Sequence, residues 1–278
     1  MPGLASTYTV DVLDRPGQTL PESTRRSLQQ EFRTLAAACL DPLPDYQCIS
    51  SAPDALDDKL IVVVRVRQTK RMVAFTSAIY LRMSLTRDAA KSTVLHTGLT
   101  CVSPDSRRQS LISLLFYHLC AYLRTRPEFV GGLWITSASA TLSALGFISQ
   151  YATDVYPSLG QAAPSETHLR IGRAIITHHH HDLHFSANAQ LNEATFVVRG
   201  HAACFDKDPG NSQNSHRDSE INEFYRELLA RDQDSSILQV GIFEWEKMFG
   251  MFQQVERMER RFGVEVSTTR HRPSWRAP

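Results

Sequence analysis

Apolar residues fall into short blocks along this chain, some with the two-residue period of strands and others with the roughly 3.6-residue period of helices. Residues 8–13 alternate and are rich in strand formers, predicting a first strand closed by Asp14, Arg15, Pro16 and Gly17. Pro21, Glu22 and Ser23 open a helix in which Leu28, Phe32, Leu35 and Ala36 recur at helical spacing, and Asp41, Pro42, Leu43 and Pro44 stop it. Residues 50–58 read as a polar loop. Two β-branched runs, 59–66 and 71–81, are separated by Arg67, Gln68, Thr69 and Lys70 and predict a hairpin. A strand over 94–102 and a long apolar-periodic helix over 106–124 follow. Beyond Pro127, Gly131 and Gly132, residues 133–136 predict a short buried strand holding Trp134 as a core residue. The small-residue segment 137–147 predicts a helix capped by Ser137 or Ser139.

The pattern changes after Pro157. Residues 165–181 read as a helix starting at Ser165, and 194–199 as a strand. Residues 204–217 read as an exposed polar loop. An amphipathic helix over 218–231 presents Ile221, Phe224, Tyr225, Leu228 and Leu229. The stretch 237–262 runs from apolar to charged and reads as helical from Glu244. Its stripe of Met248, Phe249, Met251, Phe252 and Met258 suits a core or an oligomer contact, leaving a homodimer open. No internal repeat is present. The expected division is a core over 1–160, a mainly helical extension over 161–266, and a disordered tail over 267–278 that holds Arg270, Arg272 and Arg276. The fold class is mixed α/β (α+β), a mixed sheet flanked by helices.

Composition narrows the function classes. The 278 residues carry a formal net charge of +1, unlike the basic excess of nucleic-acid-binding proteins. No apolar run approaches the roughly 18 residues of a membrane span, and the N-terminus lacks a basic region and apolar core. The cysteines, Cys39, Cys48, Cys101, Cys120 and Cys204, are odd in number and scattered, which favours free thiols over a disulfide framework or zinc site. These features predict a soluble cytoplasmic protein with no nucleic-acid or membrane partner.

The most informative stretch joins the strand over 94–102 to the helix that follows. Val102, Ser103, Pro104, Asp105 and Ser106 lead into Arg107 and Arg108, and then into Gln109, Ser110, Leu111, Ile112 and Ser113. A helix start exposes backbone N–H groups and a partial positive charge, which suits a phosphate. Cations there oppose the helix dipole, so the two arginines favour a ligand role.

This order, Val-x-Pro-x-x-Arg followed by small and apolar positions, resembles the coenzyme A pyrophosphate loop of the GNAT N-acetyltransferase superfamily. The order of strands and helices over 8–156 is similar to that family's core. Setting Arg107 at the head of the family's Arg/Gln-x-x-Gly-x-Gly/Ala motif places Ser110 and Ile112 at the glycine positions. Leu145, Gly146 and Phe147 resemble the Gly-Phe pair of a later helix. The tyrosine that often stands four residues before that glycine is Leu142 here.

The resemblance implies acyl-CoA-dependent acyl transfer to the amine of a small molecule or peptide, with acetyl-CoA as co-substrate and no metal. It implies two splayed central strands whose backbone holds the pantetheine arm, drawn here from Thr100, Cys101 and Val102 and from Trp134, Ile135 and Thr136. Arg107, Arg108, Gln109, Ser110, Leu111, Ile112 and Ser113 would meet the pyrophosphate. Tyr151 and Tyr156 are the leading candidates to protonate the departing thiolate, with Ser139 and Cys101 beside them. Glu31, His96 and Tyr80 are candidate bases.

Two other readings stand beside this one. The missing glycines and tyrosine fit a catalytically degenerate binding protein on the same fold. The run His178, His179, His180, His181, Asp182, Leu183, His184 would place His180 and His184 on one helix face as metal ligands, with His201 or His216. Histidines at a helix C-terminus also have a structural explanation, because they interact favourably with its dipole. The segment 206–211 lacks the alternating ligands of a calcium loop and reads as a plain loop.

Overall fold

The computed structural model describes residues 7–86, 91–201, 215–230, 235–253, 255 and 264–269. Its centre is a ten-stranded mixed sheet. In chain order the elements begin β1 (Tyr8–Asp14), α1 (Pro16–Thr19), α2 (Glu22–Ala37), β2 (Lys59–Val66), β3 (Met72–Met83), β4 (Ser92–Val102) and α3 (Leu111–Arg124). There follow β5 (Gly132–Ser139), α4 (Leu142–Tyr151), β6 (Thr153–Tyr156), α5 (Glu166–His178), β7 (Phe185–Leu191) and β8 (Val197–His201). The described chain closes with α6 (Ser219–Leu229), β9 (Ser235–Glu244), α7 (Trp245–Met251) and β10 (Glu265–Thr269).

The strands lie in the order β10-β1-β2-β3-β4-β5-β9-β8-β7, with β6 also on β9. Parallel pairing occurs at β10/β1 and at β4/β5; the neighbours between are antiparallel. This is the mixed, helix-flanked sheet that the sequence resemblance implies.

Both faces of the sheet are covered, which explains why the run over β2 is apolar at successive positions rather than alternate ones. Leu60, Val62 and Val64 enter the core under α3, with Leu111, Leu115 and Leu119. Ile61 and Val63 enter the opposite core under α2, with Leu28, Phe32 and Leu35. Helix α5 extends the α2 side through Ile171 and Ile175 against Leu238 and Val240. Helix α6 covers the α3 side of β9 through Tyr225, beside Leu145 and Ile237.

The C-terminal half departs from the mainly helical expectation. It supplies α5, α6 and α7 but also β7, β8, β9 and β10, and β9 pairs with β5 along its whole length. The sheet is therefore not contained in residues 1–160. The apolar run of β9 is buried on both faces, and such a run cannot be told from a buried helix by periodicity. Glu265–Thr269 pairs with β1, so the first residues of the expected tail form a strand. The expectations for residues 202–214 and 270–278, and for Met258, lie outside the described residues. No helix among those described is long and apolar enough to cross a membrane.

Candidate functional site

The site begins with a separation of strands. Parallel β4 and β5 are paired only at Leu95–Ile135, His96–Thr136 and Thr97–Ser137. Past that point β4 runs to Val102 and β5 to Ser139 without pairing to each other. A bulge marks the divergence: Thr100 faces Thr76 and Thr97 faces Ala78, so Gly98 and Leu99 stand opposite Ser77 alone. Gly98 is required by close approach, since a Cβ there would lie 1.7 Å from Gln47 Oε1. Ser77 Oγ donates to that oxygen at 2.9 Å, and Gln47 Nε2 donates to the Tyr46 hydroxyl at 3.1 Å.

A cavity of about 880 Å³ occupies the separation and joins the two faces of the sheet. On one side it reaches Leu111, Ile112 and Phe116 of α3 and Ala144, Phe147 and Ile148 of α4. On the other it reaches Cys39, Leu40 and Tyr46, in the segment after α2. Thr100, Cys101, Val102, Arg107, Arg108 and Ser110 complete the wall, opposite Ser137, Ala138 and Ser139. Among the described residues no aspartate, glutamate or histidine lines it.

Helix α3 starts at Leu111, five residues later than the sequence pattern predicts. Pro104 opens a short turn instead, and Arg107, Arg108 and Gln109 continue it as a turn and bend leading into the helix. Arg108 and Ser110 have φ of 64° and 57°, in the left-handed region. Ser110 thus meets the backbone condition that favours glycine at its place in the family motif, yet carries a side chain. That side chain does not cap the helix. The first helical hydrogen bond runs from Leu114 N–H to the Ser110 carbonyl (3.1 Å), leaving the amides of Leu111, Ile112 and Ser113 ahead of it. Ile112 sits at the cavity mouth, 46% exposed.

Of the ten residues expected against a co-substrate, eight line the cavity. Gln109 and Ser113 do not. Gln109 accepts from the Tyr8 hydroxyl, which ties the loop to β1. Trp134, Ile135 and Thr136 also fall outside the opening, because Ile135 and Thr136 remain paired to β4; β5 is free of β4 only past Ser137.

The two tyrosines chosen from neighbourhood alone are placed elsewhere. Tyr151 stacks between Phe147 (4.4 Å) and Phe252 (5.2 Å), off the cavity lining. The Tyr156 hydroxyl donates to the Ala194 carbonyl, and its ring packs on Phe196. Leu142 is buried at the start of α4. The candidate bases are likewise off the lining. Glu31 pairs with Arg65, His96 Nδ1 lies 2.9 Å from Thr136 Oγ1, and Tyr80 lies under the Arg15 guanidinium.

Tyr46 is the phenol that the cavity does contain. It is 4% exposed, and burial raises its pKa above the ordinary value, so it stays protonated. Cys39 and Cys101 form a thiol pair in the same wall. A hydrogen bond from Cys101 and the nearby Arg107 guanidinium bring the Cys39 thiol down to about 7, against the effect of burial. Cys101 is correspondingly held well up, by that hydrogen bond and by burial. No sequence signal pointed to Cys39 or Tyr46, since their partners on β4 lie more than fifty residues away.

The histidine run is not a helix face. Helix α5 ends at His178, and a turn carries the chain to Phe185, with His184 at φ 57°. His179 Nδ1 lies 2.9 Å from Asp182 Oδ2, and the His184 ring meets Tyr46 edge-on at 5.3 Å. Among the described residues no group of three or more His, Cys, Asp or Glu side chains is arranged to hold a metal ion.

No protein-family model matches the chain, and no curated protein matches it. Solved structures to which it is similar include Arabidopsis thaliana NAA60 in complex with acetyl-CoA, at 11% identity and a TM-score of 0.38 over 56% of this chain and 93% of that one. A Trypanosoma brucei acetyltransferase is 20% identical at a TM-score of 0.36, over 51% of this chain and 89% of the other. The Escherichia coli ribosomal-protein-S18-alanine N-acetyltransferase is 15% identical at 0.34, over 55% and 86%.

Proposed function

We propose that this protein is a divergent GNAT acyltransferase that moves an acyl group, in the simplest case acetyl, from coenzyme A to an amine. The observation that carries this reading is the opened β4/β5 pair, whose cavity joins both sheet faces and ends at the uncapped start of α3 beside Arg107 and Arg108. The pyrophosphate would accept from the amides of Leu111, Ile112 and Ser113, with the two guanidinium groups supplying charge. The pantetheine arm would replace β5 as the hydrogen-bonding neighbour of β4 past Thr97. The thioester would then lie near the bulge at Gly98, with Tyr46 beside it.

In that arrangement a neutral amine approaching from the α2 side attacks the thioester carbonyl. The N–C bond forms, the C–S bond breaks, and the departing thiolate takes the Tyr46 hydroxyl proton. The nitrogen loses its proton to solvent, and the tyrosinate is reprotonated. With no carboxylate or imidazole in the lining among the described residues, the acceptor must arrive already deprotonated or lose its proton through water. The same observation favours a second reading, a protein that binds acyl-CoA without turning it over.

Thermal unfolding with and without acetyl-CoA tests binding. At about a hundred times its dissociation constant the ligand adds roughly 2.7 kcal/mol, a clear rise in Tm. Arg107→Ala and Arg108→Ala should reduce that rise, and an unchanged Tm for the wild type would refute the site. Turnover on an amine panel separates enzyme from binder. Tyr46→Phe should lower kcat by about 10²-fold or more with little change in KM for acetyl-CoA; an unchanged kcat removes Tyr46 from the chemistry.

A further inference from the structure

Two thiols from distant parts of the chain meet in the cavity wall. Cys39 follows α2 and is half-buried; Cys101 lies on β4 and is 2% exposed. Both line the cavity, and Cys39 packs against the buried cluster that contains Cys101. The Cys39 thiol also donates to the carbonyl of Val102, the residue next to Cys101, at 3.3 Å. Arg107 stands beside Cys39 and stabilises negative charge on it. Cys48 and Cys120, in contrast, are fully buried and have their thiols pushed up by burial. Reactivity follows thiolate character and access, and Cys39 combines both with a second thiol in the same cavity wall.

We infer that Cys39 and Cys101 form a peroxide-responsive modification site, in which hydrogen peroxide or an organic hydroperoxide oxidises Cys39 and Cys101 resolves it to a disulfide. In the first step the Cys39 thiolate attacks the peroxide; an S–O bond forms, the O–O bond breaks, and hydroxide or alkoxide leaves with the cysteine as sulfenic acid. In the second, the Cys101 sulfur attacks the sulfenic sulfur. An S–S bond forms, and the Cys101 proton departs with the hydroxyl as water. The two electrons lost by the sulfurs reduce the peroxide. The bridge ties the end of α2 to β4 and removes the Cys39 thiolate from Arg107. A thiol reductant reverses it.

The test uses the full chain in the absence of any acyl-CoA, so its outcome does not depend on the ligand proposed for the cavity. After mild peroxide treatment and alkylation of the remaining thiols, peptide mapping should recover a Cys39–Cys101 crosslink, lighter than the two thiols by two hydrogen atoms and lost on reduction. Cys101→Ser should instead leave Cys39 as a sulfenic acid that reacts with dimedone. Cys39→Ser should leave Cys101 unreacted. In the untreated wild type, iodoacetamide should label Cys39 ahead of Cys48, Cys101 and Cys120, with a rate that rises through a pH of about 7. A crosslink to any other cysteine, sulfinic acid at Cys39 of the wild type with no crosslink, or a Cys39 no more reactive than Cys48 overturns the proposal. The wild-type mapping and labelling decide it even if a variant fails to fold.

Discussion

Ser110 holds a left-handed backbone at φ 57° while carrying a Cβ, in a position where its hydroxyl makes no cap. An L residue there costs about 1–2 kcal/mol relative to its preferred regions, more than glycine loses in unfolded-state entropy. Ser110→Gly should therefore raise stability by about 1 kcal/mol, read as a Tm increase of about 2 °C. A drop in Tm would mean that the hydroxyl has a stabilising role its geometry does not reveal. Arg107 and Arg108 were legible in the sequence because their spacing from Pro104 is local. Tyr46 and Cys39 were not, because what makes them notable is a shared cavity wall with residues of β4. Gln47 is the link: at φ 45° and 2% exposed, it is held by Ser77 and Tyr46 against the glycine of the bulge.

At the scale of elements, the start signal at Ser165 was read well, whereas the cap expected at Ser137 or Ser139 was not, since both lie in β5 and α4 starts after Thr141 with no side-chain cap. Ser165 caps α5, and a capping box closes with His168: Ser165 Oγ accepts from His168 N–H, and Ser165 N–H donates to His168 Nδ1 at 3.0 Å. The other ring nitrogen, Nε2, lies 2.8 Å from the Asp154 carbonyl, so one imidazole fixes the helix start against β6. Ser165→Ala removes the cap acceptor and should cost about 1 kcal/mol, lowering Tm by about 2 °C. A change within error would assign the helix start to His168 alone. Asp218, the first residue of the expected helix, caps α6 by accepting from Glu220 and Ile221 N–H. Helix α3 was placed too early because residues 106–110 continue its polar-to-apolar rhythm, and nothing local announces two left-handed residues in succession of alternate positions. The segment 137–139 was assigned to a helix for a related reason. Small residues suit either state, and pairing with Gln239, Leu238 and Ile237 of β9 made them a strand.

At the scale of the whole molecule, β9 makes the C-terminal half inseparable from the sheet. It stands between β5 and β8, and Gln239 at its centre donates to the Tyr225 hydroxyl of α6 at 2.7 Å. That hydroxyl donates in turn to the Pro157 carbonyl at 3.0 Å and touches Ser149 of α4. The buried node therefore joins α4, α6, β9 and the segment after β6. Tyr225→Phe should cost about 2 kcal/mol, because buried polar partners lose a hydrogen bond without regaining water. Unfolding followed by near- and far-ultraviolet circular dichroism should stay a single coincident transition at a lower Tm. An early, separate transition would show instead that the region around α6 unfolds as a unit of its own.

The sequence by itself determined the strand and helix alternation of the first half, the apolar faces of α2, α3 and α6, the starts of α5 and α6 at Ser165 and Asp218, and the basic approach to α3. Each depends on residues within about a turn or a strand length of one another, so each leaves a periodic or positional trace. The tertiary structure alone decided that β9 lies beside β5, that the β4/β5 opening starts past Ser137 rather than at Trp134, and that Tyr46, Cys39 and Cys101 share a wall while Tyr151 and Tyr156 do not. Those outcomes rest on pairings between segments about 40 to about 110 residues apart. Such pairings are selected by burial and hydrogen bonding among distant segments and leave no pattern in any one of them.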